Sequence, residues 1–184
     1  MIQATDIKGL RFAAGDYKEA EFIKANLRRI RKERNPFFLT KCDLKPIFKW
    51  KLRNQIDRVK RHLEKNSDRA YEVITQAAFS INEDDWKLES ELRIGVLTAL
   101  HGVGVPIASA ILALAEPSRY CVIDFRGWRA VFDEKRSAFD ISFYIRYITV
   151  IRQFALELGW PIQETDMAVW EYDRSSRSSK KRTA

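Results

Sequence analysis

The chain has 184 residues, 46% of them apolar, with a mean hydropathy of −0.36, a net charge of +8 and a pI near 9.6. That apolar content excludes a disordered chain, and a domain of this length buries roughly 70% of its unfolded surface. No run approaches the ~20 uninterrupted apolar residues of a membrane helix, and the start MIQATDIKGLRF lacks the basic and apolar regions of a secretory signal, so a cytoplasmic protein is expected.

The first sixteen residues predict only an extended or irregular segment. From Tyr17, the apolar positions Ala20, Ile23, Leu27 and Ile30 recur every three or four residues, predicting an amphipathic helix over Asp16 to Glu33 with Arg28, Arg29, Arg31 and Lys32 outward. Asn35-Pro36 ends it. Asp43 is the expected N-cap of a second helix whose stripe runs Leu44, Phe48, Leu52, Ile56, Val59 and Leu63 and stops near Asn66. A third helix, capped by Ser67, covers Asp68 to Ile81 with Ala70, Ile74 and Ala77 inward.

Charge is uneven along this part. Between Lys24 and Lys65 stand fifteen Lys or Arg against four acids (Glu33, Asp43, Asp57 and Glu64), which suits either a polyanionic partner or a solvated face. A small acidic island, Glu83 to Glu91, follows.

The stretch from Leu97 to Phe132 holds the strongest signal. An apolar helical run meets the turn Gly102-Val103-Gly104, a second apolar helix follows, and Glu116-Pro117-Ser118 breaks it. Tyr120 to Ile123 reads as an extended buried approach to Asp124, which stands where an N-cap belongs. Asp140 caps the longest helix, Ile141 to Leu158, apolar almost all round and therefore expected at the centre, with Gly159 and Pro161 closing it. Thr165 starts a short terminal helix with Trp170 and Tyr172, and a polar basic tail spans 174–184. With no sustained period-two alternation, the fold class is all-α.

A turn leading into a helix N-terminus presents unpaired amides and the positive end of a dipole, so His101, Gly102, Val103, Gly104 and Val105 are expected to hold a phosphate without reading sequence. Lys51 and Arg53 join them as cationic contacts. Cys42 and Cys121 are too few for a multi-cysteine metal site and are expected as reduced packing residues, and His62 and His101 lack metal-ligand spacing, so no metal is expected.

This stretch resembles the helix-hairpin-helix of the DNA glycosylase superfamily that excises damaged or mismatched bases. The matching residues are Leu97, Leu100, Gly102-Val103-Gly104, Ala108, Ala110, Ile111, Leu112, Val122-Ile123-Asp124 and Arg129, with the aspartate 20 positions after the second glycine. The resemblance implies two closely packed helical lobes over 1–173, a hairpin at 91–116 and a catalytic segment at 120–133, with Asp124 as the catalytic aspartate. Relatives that also cut the strand carry a lysine two residues after the second glycine; here that residue is Pro106.

The resemblance therefore implies a short bacterial or phage-type member without the catalytic lysine or an iron–sulfur cluster. Its reaction would be monofunctional hydrolysis of an N-glycosidic bond to leave an abasic site, in repair or in defence against modified phage DNA such as glucosylated cytosine. Lys51 is the one lysine named as able to change that, should it enter the pocket. A flipped base needs aromatic walls, and Trp128, Trp50 and Phe125 are the candidates. No cofactor is implied, though a monovalent cation at the hairpin is compatible; the partner is double-stranded DNA, with no membrane and no obligate protein partner. The alternative is a non-catalytic helix-hairpin-helix DNA-binding protein, in which Asp124 only caps its helix.

Overall fold

The computed structural model describes residues 2–180, with side chains to residue 176. Among these residues there is no strand, and the chain is all-α. The helices are α1 (Tyr17–Glu33), α2 (Lys41–Leu52), α3 (Ile56–Leu63), α4 (Asp68–Ser80), α5 (Trp86–Leu97), α6 (Val105–Ala115), α7 (Phe125–Phe132), α8 (Ile141–Leu158) and α9 (Ile162–Lys180), with 3-10 turns at Ala4–Leu10 and Arg53–Gln55. Among the described residues, no helix is long and apolar enough to cross a membrane.

The central helix is α6, not α8. Every α6 residue except Pro106 is buried, because its small Ala108, Ala110, Ala113 and Ala115 let α1, α2 and α5 close around it. Helix α8 buries one stripe, Tyr144, Tyr147, Ile148, Ile151 and Phe154, and leaves Leu156 84% exposed. Apolar residues on its outer face misled the expectation of a buried helix.

Helices α1 to α6 pack mainly on one another, while α7, α8 and α9 form a second group, and α5 meets α8 between them. The N-terminal segment is not irregular: Ile2, Ala4 and Ile7 are buried, and the Ala4–Leu10 turn packs on α8 and α9.

Three further departures matter for the site. The single helix expected up to Asn66 is broken at Arg53, whose backbone stands at φ 47°, ψ −122°. Thr40 rather than Asp43 caps α2; its hydroxyl accepts from the Asp43 amide while the Asp43 carboxylate accepts from the Thr40 amide. Helix α4 turns inward on Tyr71, Thr75 and Ala78 while Ala77 is exposed, since Tyr71 donates to the Leu63 carbonyl and Thr75 bridges to Leu39 across the core.

Helix α9 starts at Ile162 and continues to Lys180, through the stretch expected as tail. The Glu171–Arg174 ion pair, one turn apart, supports it there; residues 181–184 lie outside the described residues. Cys121 is buried as expected, but Cys42 is exposed.

Candidate active site

The hairpin turn is bolted to the end of α3. Gly102 has φ +81°, and a Cβ on it would stand 3.1 Å from both the Cβ of His62 and the amide N of Leu63. Asn66 closes the joint, its Oδ1 accepting from the His101 amide and its Nδ2 donating to the His101 carbonyl, both at 2.9 Å. Gly102 is thus demanded by the protein's own packing and by its positive φ.

Gly104 is different. It is exposed, and a Cβ there would meet nothing nearer than Pro106 Cδ at 3.8 Å. Val103 and Val105 bury their side chains, and the Val103 amide already donates to the Leu100 carbonyl, so Val103 has no amide to offer a phosphate. The surface of the turn is left to the exposed His101 and to the amides of Gly104 and Val105, which precede the first internal bonds of α6. Lys60, Arg61 and Lys65 are exposed on the adjoining end of α3.

Helix α6 carries the hairpin to the aspartate. Ser109 Oγ accepts from the Ile123 amide at 3.2 Å, the Ile123 carbonyl accepts from Lys51 Nζ at 3.1 Å, the Val122 amide donates to Asp166 at 2.8 Å, and Tyr144 donates to the Cys121 carbonyl at 3.3 Å. These four bonds, to α6, α2, α9 and α8, fix where the extended segment lies.

Asp124 then opens α7, with Oδ1 accepting from the amides of Arg126 and Gly127 at 2.9 Å each. Its other oxygen, Oδ2, stands 3.8 Å from Lys51 Nζ, and the side chain is 22% exposed. The cap therefore occupies one oxygen of the carboxylate and leaves the other on the side of Lys51.

A cavity of about 640 Å³ opens beside it. Lys51 on α2, Arg53 at the break after it, Asp124 and Phe125 at the start of α7, and Asp166 and Trp170 on α9 are among the residues that line it. The break at Arg53 turns the chain aside and makes one wall; a continuous helix would not.

Several expected residues meet here and others do not. Trp50 and Phe125 line the cavity, the first buried and the second 45% exposed at the rim. Trp128 does not: it is fully buried against Phe132, Phe139 and Phe143, one face of an aromatic core cluster. Lys51 was expected to face phosphate, yet its side chain is only 10% exposed inside the cavity. Arg53 lines the cavity and pairs with Asp16 at 2.6 Å. Lys24, counted in the basic surface, is buried and bonded to Gln163 at 2.9 Å and to Glu21.

Sequence reasoning missed Asp166, Met167, Arg126 and Arg174. The apolar and aromatic neighbours of Asp166 signalled burial, but nothing local places it beside Asp124. Burial pushes the Asp166 carboxyl up to about 7, against the hydrogen bonds from Tyr147 at 2.5 Å and from Val122; the charge of Asp124 adds to the rise and Lys51 opposes it. At the rim, Arg126 and Arg129 both reach Asp173, and Arg174 pairs with Glu171.

Among the described residues, no three His, Cys, Asp or Glu side chains stand together as a metal site. No protein-family model, curated protein or solved structure matches the chain.

Proposed function

We propose that the chain is a DNA N-glycosylase of the helix-hairpin-helix kind, in which Asp124 acts on a base flipped into the cavity. The observation that carries this reading is that Asp124, with only one oxygen taken by the cap, lines a cavity of about 640 Å³, within the ~300–1,000 Å³ range of ligand sites. A capping aspartate in a packed core would have no such space beside it. That favours the enzyme over the non-catalytic DNA-binding alternative.

The proposed chemistry follows from the groups present. Departure of a base leaves positive charge on the sugar, which Asp124 Oδ2 stabilises while it orients or deprotonates an attacking water. Phe125 at the rim and Trp50 deeper in the wall offer ring faces to an extruded base. The exposed amides of the hairpin, with Lys60, Arg61 and Lys65 nearby, would hold the backbone without reading sequence. The bond from Ser109 to Ile123 couples that grip to the aspartate.

Lys51 supports a second reading. Its amine lies beside Asp124, so the absence of a lysine at Pro106 no longer excludes a covalent sugar adduct and strand cleavage. Hydrolysis is preferred because the amine donates to the Ile123 carbonyl and stands 3.8 Å from Asp124 Oδ2, so it is engaged by the protein's own groups.

The test is incubation with damaged and phage-type modified duplexes, followed by mild alkali to reveal abasic sites. Asp124→Asn, which keeps the cap, is expected to lower excision by about 100-fold or more while DNA binding persists. Undiminished excision in that variant would sink the assignment. Borohydride is expected to trap nothing; an adduct lost in Lys51→Ala would establish the lyase reading instead.

A further inference from the structure

Beneath the cavity, three elements meet on a second carboxylate. Asp166 projects from α9, is 4% exposed, and lines the cavity floor. Its Oδ1 accepts from the Tyr147 hydroxyl of α8 at 2.5 Å, and its Oδ2 accepts from the Val122 amide at 2.8 Å, two residues before Asp124. Tyr147 reaches this point by passing under the first turn of α7. A Cβ on Gly127 would stand 2.2 Å from the Tyr147 hydroxyl, so that position admits only glycine. The same Gly127 gives its amide to Asp124 Oδ1.

We propose that Asp166 is the positioning residue for Asp124: it joins α8 and α9 to the 122–124 segment and so sets how far Asp124 projects into the cavity. The inference rests on the glycosylase reading for its kinetic consequence alone. Asp124 is tied to this joint by two routes: the backbone from Val122, whose amide donates to Asp166, and the Gly127 amide, which donates to Asp124 Oδ1 from above Tyr147. A misplacement of about 1 Å at a reacting group costs on the order of 100-fold in rate.

The joint also responds to protons. The ionisable groups around Asp166 are Tyr147 and Tyr144 on α8, Cys121 and Asp124 on the extended segment, and Lys51 on α2. Burial moves Tyr147, Tyr144 and Cys121 well above their ordinary values, so all three stay neutral near pH 7. Asp166 is left as the group that changes charge there, its carboxyl raised to about 7. Because the hydroxyl of Tyr147 can donate or accept, the joint survives protonation of Asp166. What changes is the charge beneath the cavity, and an ionised Asp166 adds to the field that favours a cationic sugar.

Two measurements test this. The first needs no activity: a carboxyl raised on folding holds its proton in the native state, so its contribution is full below its unfolded value and declines as pH rises from about 4 to about 7. The Tm of the full chain should therefore fall relative to that of Asp166→Asn across this window, and parallel curves would overturn the proposal. The second is excision. Asp166→Ala is expected to lower kcat about 100-fold with KM little changed. Asp166→Asn, which can still accept from Val122, should recover most of that below pH 7 and lack the wild-type rise in rate through pH 7. Should Asp166→Ala fail to fold, Tyr147→Phe serves in its place and should move the rise to higher pH. Unchanged kcat in Asp166→Ala, or an unmoved rise in Tyr147→Phe, would overturn the positioning role. A Tm difference of the expected sign in a protein that excises no base from any duplex supports the joint and overturns the glycosylase reading.

Discussion

The polar cluster around Glu89 and the one at the cavity are built to opposite rules. Behind the hairpin, Glu89 is fully buried and saturated: it accepts from the Tyr120 hydroxyl at 2.8 Å and from Arg119 at 2.6 Å, and it forms an ion pair with Arg93 at 2.8 Å. Arg93 in turn donates to the Ile81 carbonyl and to Glu116, which also takes Arg31. Burial alone would raise the Glu89 carboxyl, but the Tyr120 hydroxyl and the two guanidinium groups hold it below the usual range. At the cavity, Asp124 keeps an oxygen 3.8 Å from the nearest cation, and burial lifts Asp166 to about 7. A cluster whose charges satisfy one another braces α5 against the end of α6. One left partly unsatisfied beside open space is available for chemistry.

The comparison is tested most severely at Glu89. Removing it in Glu89→Ala takes from buried Arg93 one of its two carboxylate partners and from Tyr120 its acceptor, and a loss of about 3–5 kcal/mol in denaturant unfolding is expected. Loss of activity in step with stability, and no further, would mark the cluster as structural; a large catalytic defect in the fraction still folded would erase the distinction. The two clusters also carry opposite pH signatures. A depressed carboxyl stabilises above its unfolded value and loses that as pH falls, whereas Asp166 weakens the fold as pH rises toward 7.

A smaller effect separates the two glycines of the turn. Gly102→Ala must take a left-handed conformation against His62 and Leu63 and should cost about 1–3 kcal/mol of stability. Gly104→Ala has space and should stay within about 0.5 kcal/mol of wild type. If the Gly104 amide holds phosphate, the bulkier Gly104→Arg should weaken binding to all duplexes alike, and sequence-selective loss would argue against that contact. The smallest effect concerns the surface lysines. Lys45→Ala on the exposed side of α2 should reduce the slope of log affinity against log salt by about 1 if it meets phosphate, and an unchanged slope assigns Lys45 to solvent.

Much of the architecture was legible in the residues because it depends on near neighbours. The period of Ala20, Ile23, Leu27 and Ile30 predicted α1, Asp140 and Gly159 predicted both ends of α8, and Asp124 predicted the start of α7.

The cavity was not legible, for the same reason. Its break at Arg53, at a positive φ, interrupts a stripe, Leu44 to Leu63, that is compatible with one continuous helix, and nothing local to that stripe marks the position of the break. Trp50 and Trp128 read alike as aromatics near a basic or acidic residue, and only tertiary packing sent one to the cavity and the other to the core. Asp166 lies 42 positions after Asp124 on a helix judged terminal, and its meeting with Val122 and Tyr147 depends on how α8 and α9 cross beneath α7. Local sequence determines where helices begin, end and turn their apolar faces. Which polar groups share a buried space is decided by contacts distant in the chain, and the charge of each such group follows from that decision.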